Sequence, residues 1–291
     1  MSENISTSET GIMPPKPNAL LEIFSIRKPI IGMIHLLPLP GAPRFPGGSL
    51  KPVLEFALND ARALRDGGVD GLIVENGGDL PFSKPEDIGY ETVAAMSALV
   101  GPIMEESGLP VGINVLANGA LQALAIAKAT GARFVRVNQW ANAYVANEGI
   151  IEGPAAKALR YRSAIKGDDI KIFADVHVKH GAHAIVADRS LAEQTRDVVF
   201  FDADVLIATG QRTGDATEIS EIEGIKDSSS GLPVIVGSGL RRDNAARILS
   251  VADGAIVGSS LKRDGVWWNP VDVERVRRLM EVVQSVRETA P

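Results

Sequence analysis

The chain contains no cysteine. Disulfides, thiolate metal centres and cysteine nucleophiles are therefore excluded, and a reducing cytoplasm fits without being required. No apolar run approaches the roughly 18 residues that a membrane helix needs, so no membrane span is expected. Positive charge is not in excess: 30 Lys and Arg stand against 36 Asp and Glu, a formal net charge of -6, which leaves no basic footprint for nucleic acid. A Walker motif is missing, and the first β-like run ends in His-Leu-Leu-Pro-Leu-Pro-Gly rather than a dinucleotide fingerprint. The leading residues 1 to 18 are polar and Pro-rich, with Glu3 and Glu9, and lack both arginine and an apolar core. They resemble neither a secretory signal nor a transit peptide and read as a flexible tail.

What remains is an ordinary globular composition, 45% hydrophobic and 23% charged, over 291 residues. Short β-branched runs recur at 29–35, 70–76, 110–116, 133–138, 171–179, 204–210, 233–239 and 254–260. Segments with helical spacing separate them, such as Leu54, Leu58, Ala61 and Leu64 before Gly67. Near-continuous apolar strands joined by helices indicate a parallel α/β sheet. Eight βα units predict a single (β/α)8 barrel over 19–291, with an open doubly wound sheet as the rival.

Barrel active sites lie at the C-terminal ends of the strands. The longest connections there are 35–49, 76–89 and 138–153, read as loops. The last two strands end in Gly237-Ser238-Gly239 and Gly258-Ser259-Ser260. Glycines let backbone N–H groups approach an anion, so Gly237, Ser238, Gly239, Gly258 and Ser259 are candidate phosphate ligands. The stretch resembles the corresponding part of tryptophan synthase α chains. Arg241, Arg242 and Asp243 read as solvated or capping residues at the next helix start.

Three of the four histidines fall in Phe-Ala-Asp-Val-His-Val-Lys-His-Gly-Ala-His, residues 173 to 183. Strand alternation places Phe173, Asp175, His177 and Lys179 on one face and Ile172, Ala174, Val176 and Val178 on the other. The aliphatic set belongs outside, against helices, so Asp175, His177 and Lys179 are expected to point inward as catalytic candidates, with Lys179 the partner of Asp175. Asp175, His177 and His180 could alternatively hold a divalent metal, although no cofactor is firmly predicted. His183 reads as loop or helix surface. His35, Glu75, Asn114, Arg136, Asn138 and Thr209 close other strands. Glu75 terminates an apolar strand and is the favoured general base, with a raised pKa. His35, Asn114, Asn138, Thr209 and Thr213 are candidate substrate contacts.

The segments Lys28 to Phe45, Asp70 to Phe82, Phe173 to His183, Ile207 to Thr217, and Pro233 to Leu240 with Asp253 to Lys262 together resemble the BtpA family, over about Lys28 to Lys262. The resemblance implies a phosphate-binding TIM barrel of the ribulose-phosphate-binding kind. It also implies alternatives for function, because the cyanobacterial member is associated with photosystem I biogenesis as a peripheral thylakoid component, whereas SgcQ-type relatives occur beside sugar-metabolism genes. Family motif positions correspond to His35, Glu75, Asn114, Asn138, Asp175, His177, Lys179, Thr209, Gly237, Ser238 and Gly258.

The expected function is that of a cytoplasmic, homo-oligomeric enzyme, an isomerase or lyase acting on a small phosphorylated metabolite. The alternative is a non-catalytic assembly or stability factor for a membrane complex such as photosystem I, with peripheral membrane association. Nucleotide or nucleoside hydrolysis ranks last.

Overall fold

The computed structural model describes residues 13–210 and 217–289. The barrel strands are β1 (Ile30–His35), β2 (Gly71–Glu75), β3 (Val111–Asn114) and β4 (Phe134–Val137). After a hairpin of β5 (Ala143–Ala146) and β6 (Gly149–Glu152) come β7 (Lys171–Asp175), β8 (Val205–Ala208), β9 (Val234–Val236) and β10 (Ala255–Val257). The eight barrel strands pair in parallel, and β10 closes on β1 through Ile30 opposite Ala255. The expected (β/α)8 barrel is the fold.

The period of two along each strand decides what faces where. Ile30, Ile34, Leu72, Val74, Ile113, Val135, Ile172, Leu206 and Val234 join the outer core. They pack under helices that include α2 (Lys51–Gly67), α3 (Tyr90–Ser107), α4 (Ala120–Thr130), α5 (Ala155–Ala164), α6 (Leu191–Phe200), α7 (Ile219–Asp227), α8 (Ala245–Leu249) and α9 (Val273–Thr289). The ring closes where α9 packs on both α2 and α8. That closure uses Val276, Leu279, Met280 and Val283, so the apolar stripe of the last helix is spent on the barrel. At Gly67 a Cβ would stand 2.3 Å from Val276, which fixes a small residue at the α2–α9 crossing.

Alternate residues fill the inside: Ile31, Met33, Ile73, Phe134, Phe173, Val205, Ile207, Ile235 and Ile256. The Phe134 and Phe173 rings stack at 4.3 Å. A short helix, α1 (Ala19–Phe24), plugs the N-terminal end by adding Ala19, Leu20 and Ile23 to this cluster. Asn18 caps it, accepting from the amides of Leu20 and Leu21.

Residues 1–12 of the expected tail lie outside the described residues. Residues 13–18 are attached to the barrel: Lys16 donates to the carbonyl of Asp202 at 2.8 Å and to the Asp204 carboxylate at 3.0 Å. The connection 138–153, read as a loop from sequence, contains the antiparallel β5–β6 hairpin. Only four residues long on each side, with Asn147 and Glu148 at the tip, it offers little alternation to read. It is held down by a bridge between Val145 and Ala182, in the segment after β7. No helix among the described residues is long and apolar enough to cross a membrane.

Candidate active site

Continuing the inward parity to the strand ends gives a different chemistry. Above Ile31 and Met33 stands His35; above Ile73, Glu75; above Gly112, Asn114; above Phe134, Arg136; above Phe173, Asp175. The top interior layer is therefore polar and buried, and each of its groups requires a partner.

Arg136 supplies the largest part of that pairing. Its guanidinium donates through Nε to Asp175 Oδ1 at 3.0 Å and through Nη2 to Oδ2 at 2.9 Å, with side chains 4% and 0% exposed. Asn138 Nδ2 donates to the same carboxylate at 3.3 Å, and Asn114 Nδ2 donates to Asn138 Oδ1 and to the Arg136 carbonyl, each at 3.2 Å. Gly237 leaves room for this network: a Cβ there would stand 3.2 Å from Arg136 Nη2 and 2.5 Å from Ile207.

His35 and Glu75, register partners on the adjacent strands β1 and β2, are less tightly paired. His35 Nε2 lies 3.7 Å from Glu75 Oε1, and His35 Nδ1 is buried with no hydrogen-bond partner among the described residues. The imidazole is packed edge-on to Trp267, with ring centroids 5.4 Å apart. Burial, reinforced by the charges of Lys262, Lys179 and Arg136, holds its pKa well below the usual histidine value, so the ring is neutral. Burial raises the Glu75 carboxyl, with Arg136 and Lys179 opposing and Asp175 adding to the rise. Lys179 is lowered to about 8, first by burial and then by Arg136, against the pull of Asp175 and Glu75.

Most of these groups, though not Asn114 or Asp175, line a cavity of about 1260 Å³ that reaches the turns after β9 and β10. His35, Glu75, Arg136, Asn138 and Lys179 line it together with Gly237, Ser238, Gly239, Gly258 and Ser259. Gly239 adopts φ +73°, a left-handed conformation that glycine takes without strain. Gly258 lies close against the histidine, since a Cβ would meet His35 Cε1 at 3.3 Å. Behind this wall the fully buried Lys262 donates to Asp60 at 2.5 Å, and Asp60 accepts the Val271 amide at 2.7 Å. The turn after β10 is thus tied to α2 and to the approach to α9.

The family model described as the BtpA family matches residues 26–285. The chain belongs to the BtpA family. A protein of Archaeoglobus fulgidus is 43% identical over 260 residues, covering 89% of this chain and 100% of its own length. The Photosystem I biogenesis protein BtpA of Synechocystis sp. is 39% identical over 272 residues, 94% of this chain and 93% of that protein. Among solved structures, thiamine phosphate pyrophosphorylase from Pyrococcus furiosus superposes with a TM-score of 0.55 at 15% identity, covering 89% of this chain and 96% of that one. That likeness speaks to the barrel fold.

Within this BtpA-family barrel the expected residues separate into groups. Asp175 is present at the interior, but its partner is Arg136 on the neighbouring strand rather than Lys179. His177 turns away from the cavity, because β7 ends at Asp175 and strand parity stops there. Its Nδ1 lies 3.1 Å from Gln194 Oε1 on α6, and its ring stacks on His183 at 3.7 Å. His183 in turn donates from Nε2 to the Val178 carbonyl at 2.7 Å and stacks on Tyr144 of β5 at 5.3 Å. Asp175, His177 and His180 therefore do not converge, and no group of three metal-binding side chains occurs among the described residues. His180 lines the cavity. Thr209 accepts from the Lys179 amide at 3.2 Å and donates to the His177 carbonyl at 3.1 Å, which makes it a clamp on the β7 segment. Thr213 lies outside the described residues.

Sequence reading named Arg136 but missed its role, and missed Tyr144 and Trp267 altogether. The signal for Arg136 was its inward position two residues beyond Phe134. Nothing in the sequence signalled the two aromatics, whose positions depend on a hairpin and on the chain beyond the β10 turn.

Proposed function

We propose that this BtpA-family barrel is an enzyme of the isomerase or lyase type, acting on a small phosphorylated metabolite or sugar phosphate bound at the barrel mouth. The observation that carries the reading is a single cavity lined both by Glu75, His35 and Lys179 and by the glycine-serine turns after β9 and β10. The turns, with Gly237, Ser238, Gly239, Gly258 and Ser259, receive the phosphate, where backbone amides stabilise an anion without side-chain reorganisation. The carbon skeleton then lies over the polar interior layer.

Glu75 is the proton acceptor. Its buried carboxyl binds a proton more strongly than an exposed one, which brings it closer to the acidity of a carbon acid or hydroxyl. Lys179, protonated at neutral pH, stabilises the negative charge that develops on a carbonyl oxygen. Neutral His35 donates a hydrogen bond or relays the proton. Arg136 and Asp175, committed to each other, position Asn138 rather than exchanging protons. Glu75→Gln and Lys179→Met are expected to remove turnover of the true substrate with the fold intact, as judged by circular dichroism; unchanged turnover would sink the assignment.

The name of the Synechocystis relative favours a second reading, a non-catalytic biogenesis or stability factor. It requires the mouth to be dispensable. Glu75→Gln would then leave cellular function untouched.

A further inference from the structure

The cavity is larger than the proposed phosphate and carbon subsites together require. Its volume of about 1260 Å³ exceeds the roughly 300–1,000 Å³ typical of small-molecule sites, and it extends past the β10 turn to α9. There it is bounded by Arg275, Arg278, Leu279 and Val282, spaced i, i+3, i+4 and i+7, so one helical stripe faces the cavity. Arg241 and Arg242, from the turn after β9, complete this end.

The arginines are not equally engaged. Arg241 is paired with Asp243 at 3.1 Å. Arg275 reaches the Ser260 carbonyl only at 3.5 Å. Arg242 and Arg278 have no hydrogen-bond or ion-pair partner among the described residues. The carboxylates of this end are otherwise occupied: Glu274 pairs with Arg277 at 2.6 Å, and Asp272 accepts the Glu274 and Arg275 amides. Arg242, Arg275 and Arg278 against Asp272 leave an excess of two positive charges, in a chain whose formal net charge is -6. Guanidinium groups with N–H donors to spare at a cavity edge match phosphoryl oxygens in geometry and charge.

We propose that Arg242, Arg275 and Arg278 form a second anion subsite adjoining the phosphate turns, so that the ligand of this site is a diphosphate ester rather than a monophosphate. The inference rests on the phosphate-binding reading of the site. Adjacency sets the class. Arg242 lies three residues beyond Gly239 and Arg275 touches the Ser260 carbonyl, so both anionic groups sit at the same end of the ligand. A diphosphate places two phosphoryl groups side by side, whereas phosphates at opposite ends of a sugar would put one of them over Glu75.

The test is calorimetric titration of the full chain with inorganic pyrophosphate and, separately, orthophosphate, repeated on Arg278→Gln and on Arg275→Gln/Arg278→Gln. Arg278 is exposed and Arg275 partly exposed, so the folded state is expected to survive, with thermal melting as the check. Pyrophosphate is expected to bind at least about tenfold more tightly than orthophosphate, about 1.4 kcal/mol. The double substitution should erase most of that advantage while orthophosphate affinity stays within about twofold. Orthophosphate binding with no pyrophosphate advantage, or an advantage that survives the double substitution, overturns the second subsite and leaves the first phosphate reading standing. Failure of both anions to bind overturns both.

Discussion

Arg136 grips Asp175 through two parallel hydrogen bonds of 3.0 and 2.9 Å from one barrel strand to its neighbour, with neither side chain more than 4% exposed. Removing one partner strands the other charge in the interior. Asp175→Ala is therefore expected to destabilise the fold by about 3–5 kcal/mol. Urea denaturation measures it, and a loss below about 1 kcal/mol would show that the arginine finds another partner.

The Glu75 carboxyl binds its proton more strongly folded than unfolded, because burial penalises the ionised form. Its contribution to stability is present while the group is protonated and is lost as pH rises through the folded pKa. Glu75→Gln keeps the shape without the charge, so it is expected to raise the melting temperature at neutral pH while abolishing turnover. Melting curves from pH 4 to 8 should show the variant's advantage growing with pH.

Lys179 works in the opposite sense. Its pKa falls from 10.5 to about 8 on folding, so the native state holds fewer protons than the unfolded state between those values. Stability is penalised below about pH 8, and the penalty is relieved as pH rises towards 10.5. Lys179→Met is expected to be more stable than the parent at pH 7. In the parent, turnover that depends on the ammonium form should decline above about pH 8, and Lys179→Arg, if active, should lose that basic limb.

His177 should matter less than its neighbours in sequence suggest. Its ring is stacked on His183 and placed beside Gln194, outside the cavity. His177→Phe preserves the stacking surface and is expected to keep turnover within about tenfold, whereas His35→Phe should cost far more. Steady-state kinetics on the two variants decides it; equal losses would return His177 to the chemistry.

Much of the barrel was legible because its signal is local. The alternation Ile31, Met33, His35 and Phe134, Arg136 fixes an inward face whatever the neighbouring strands are. The identity of Asp175's partner was not, because it depends on strand stagger: Arg136 stands opposite Phe173 in register, not opposite Asp175. Parity also misled where the strand stopped early. Extended past Asp175 it aimed His177 inward, but the chain leaves the sheet there, and Thr209 holds the new course through the His177 carbonyl and the Lys179 amide. The hairpin β5–β6 and the plug α1 are short elements stabilised by what they cover, and such elements carry little periodicity of their own.

Gly237 makes a sharper test of the interior layer. A Cβ there would collide with Ile207 at 2.5 Å and crowd Arg136 at 3.2 Å. Gly237→Ala is expected to cost about 1–3 kcal/mol by overpacking and to weaken phosphate binding at the adjacent turn. Denaturation and phosphate titration on one sample measure both effects.

The central claim is that Glu75 removes a proton from a phosphorylated substrate in this cavity. A mixture of phosphorylated metabolites incubated with the protein in D2O, and read by mass spectrometry for carbon-bound deuterium, tests it whichever compound is the substrate. Deuterium should enter at least one phosphorylated compound with the parent protein and not with Glu75→Gln; no incorporation with the parent, or equal incorporation with both, would contradict it.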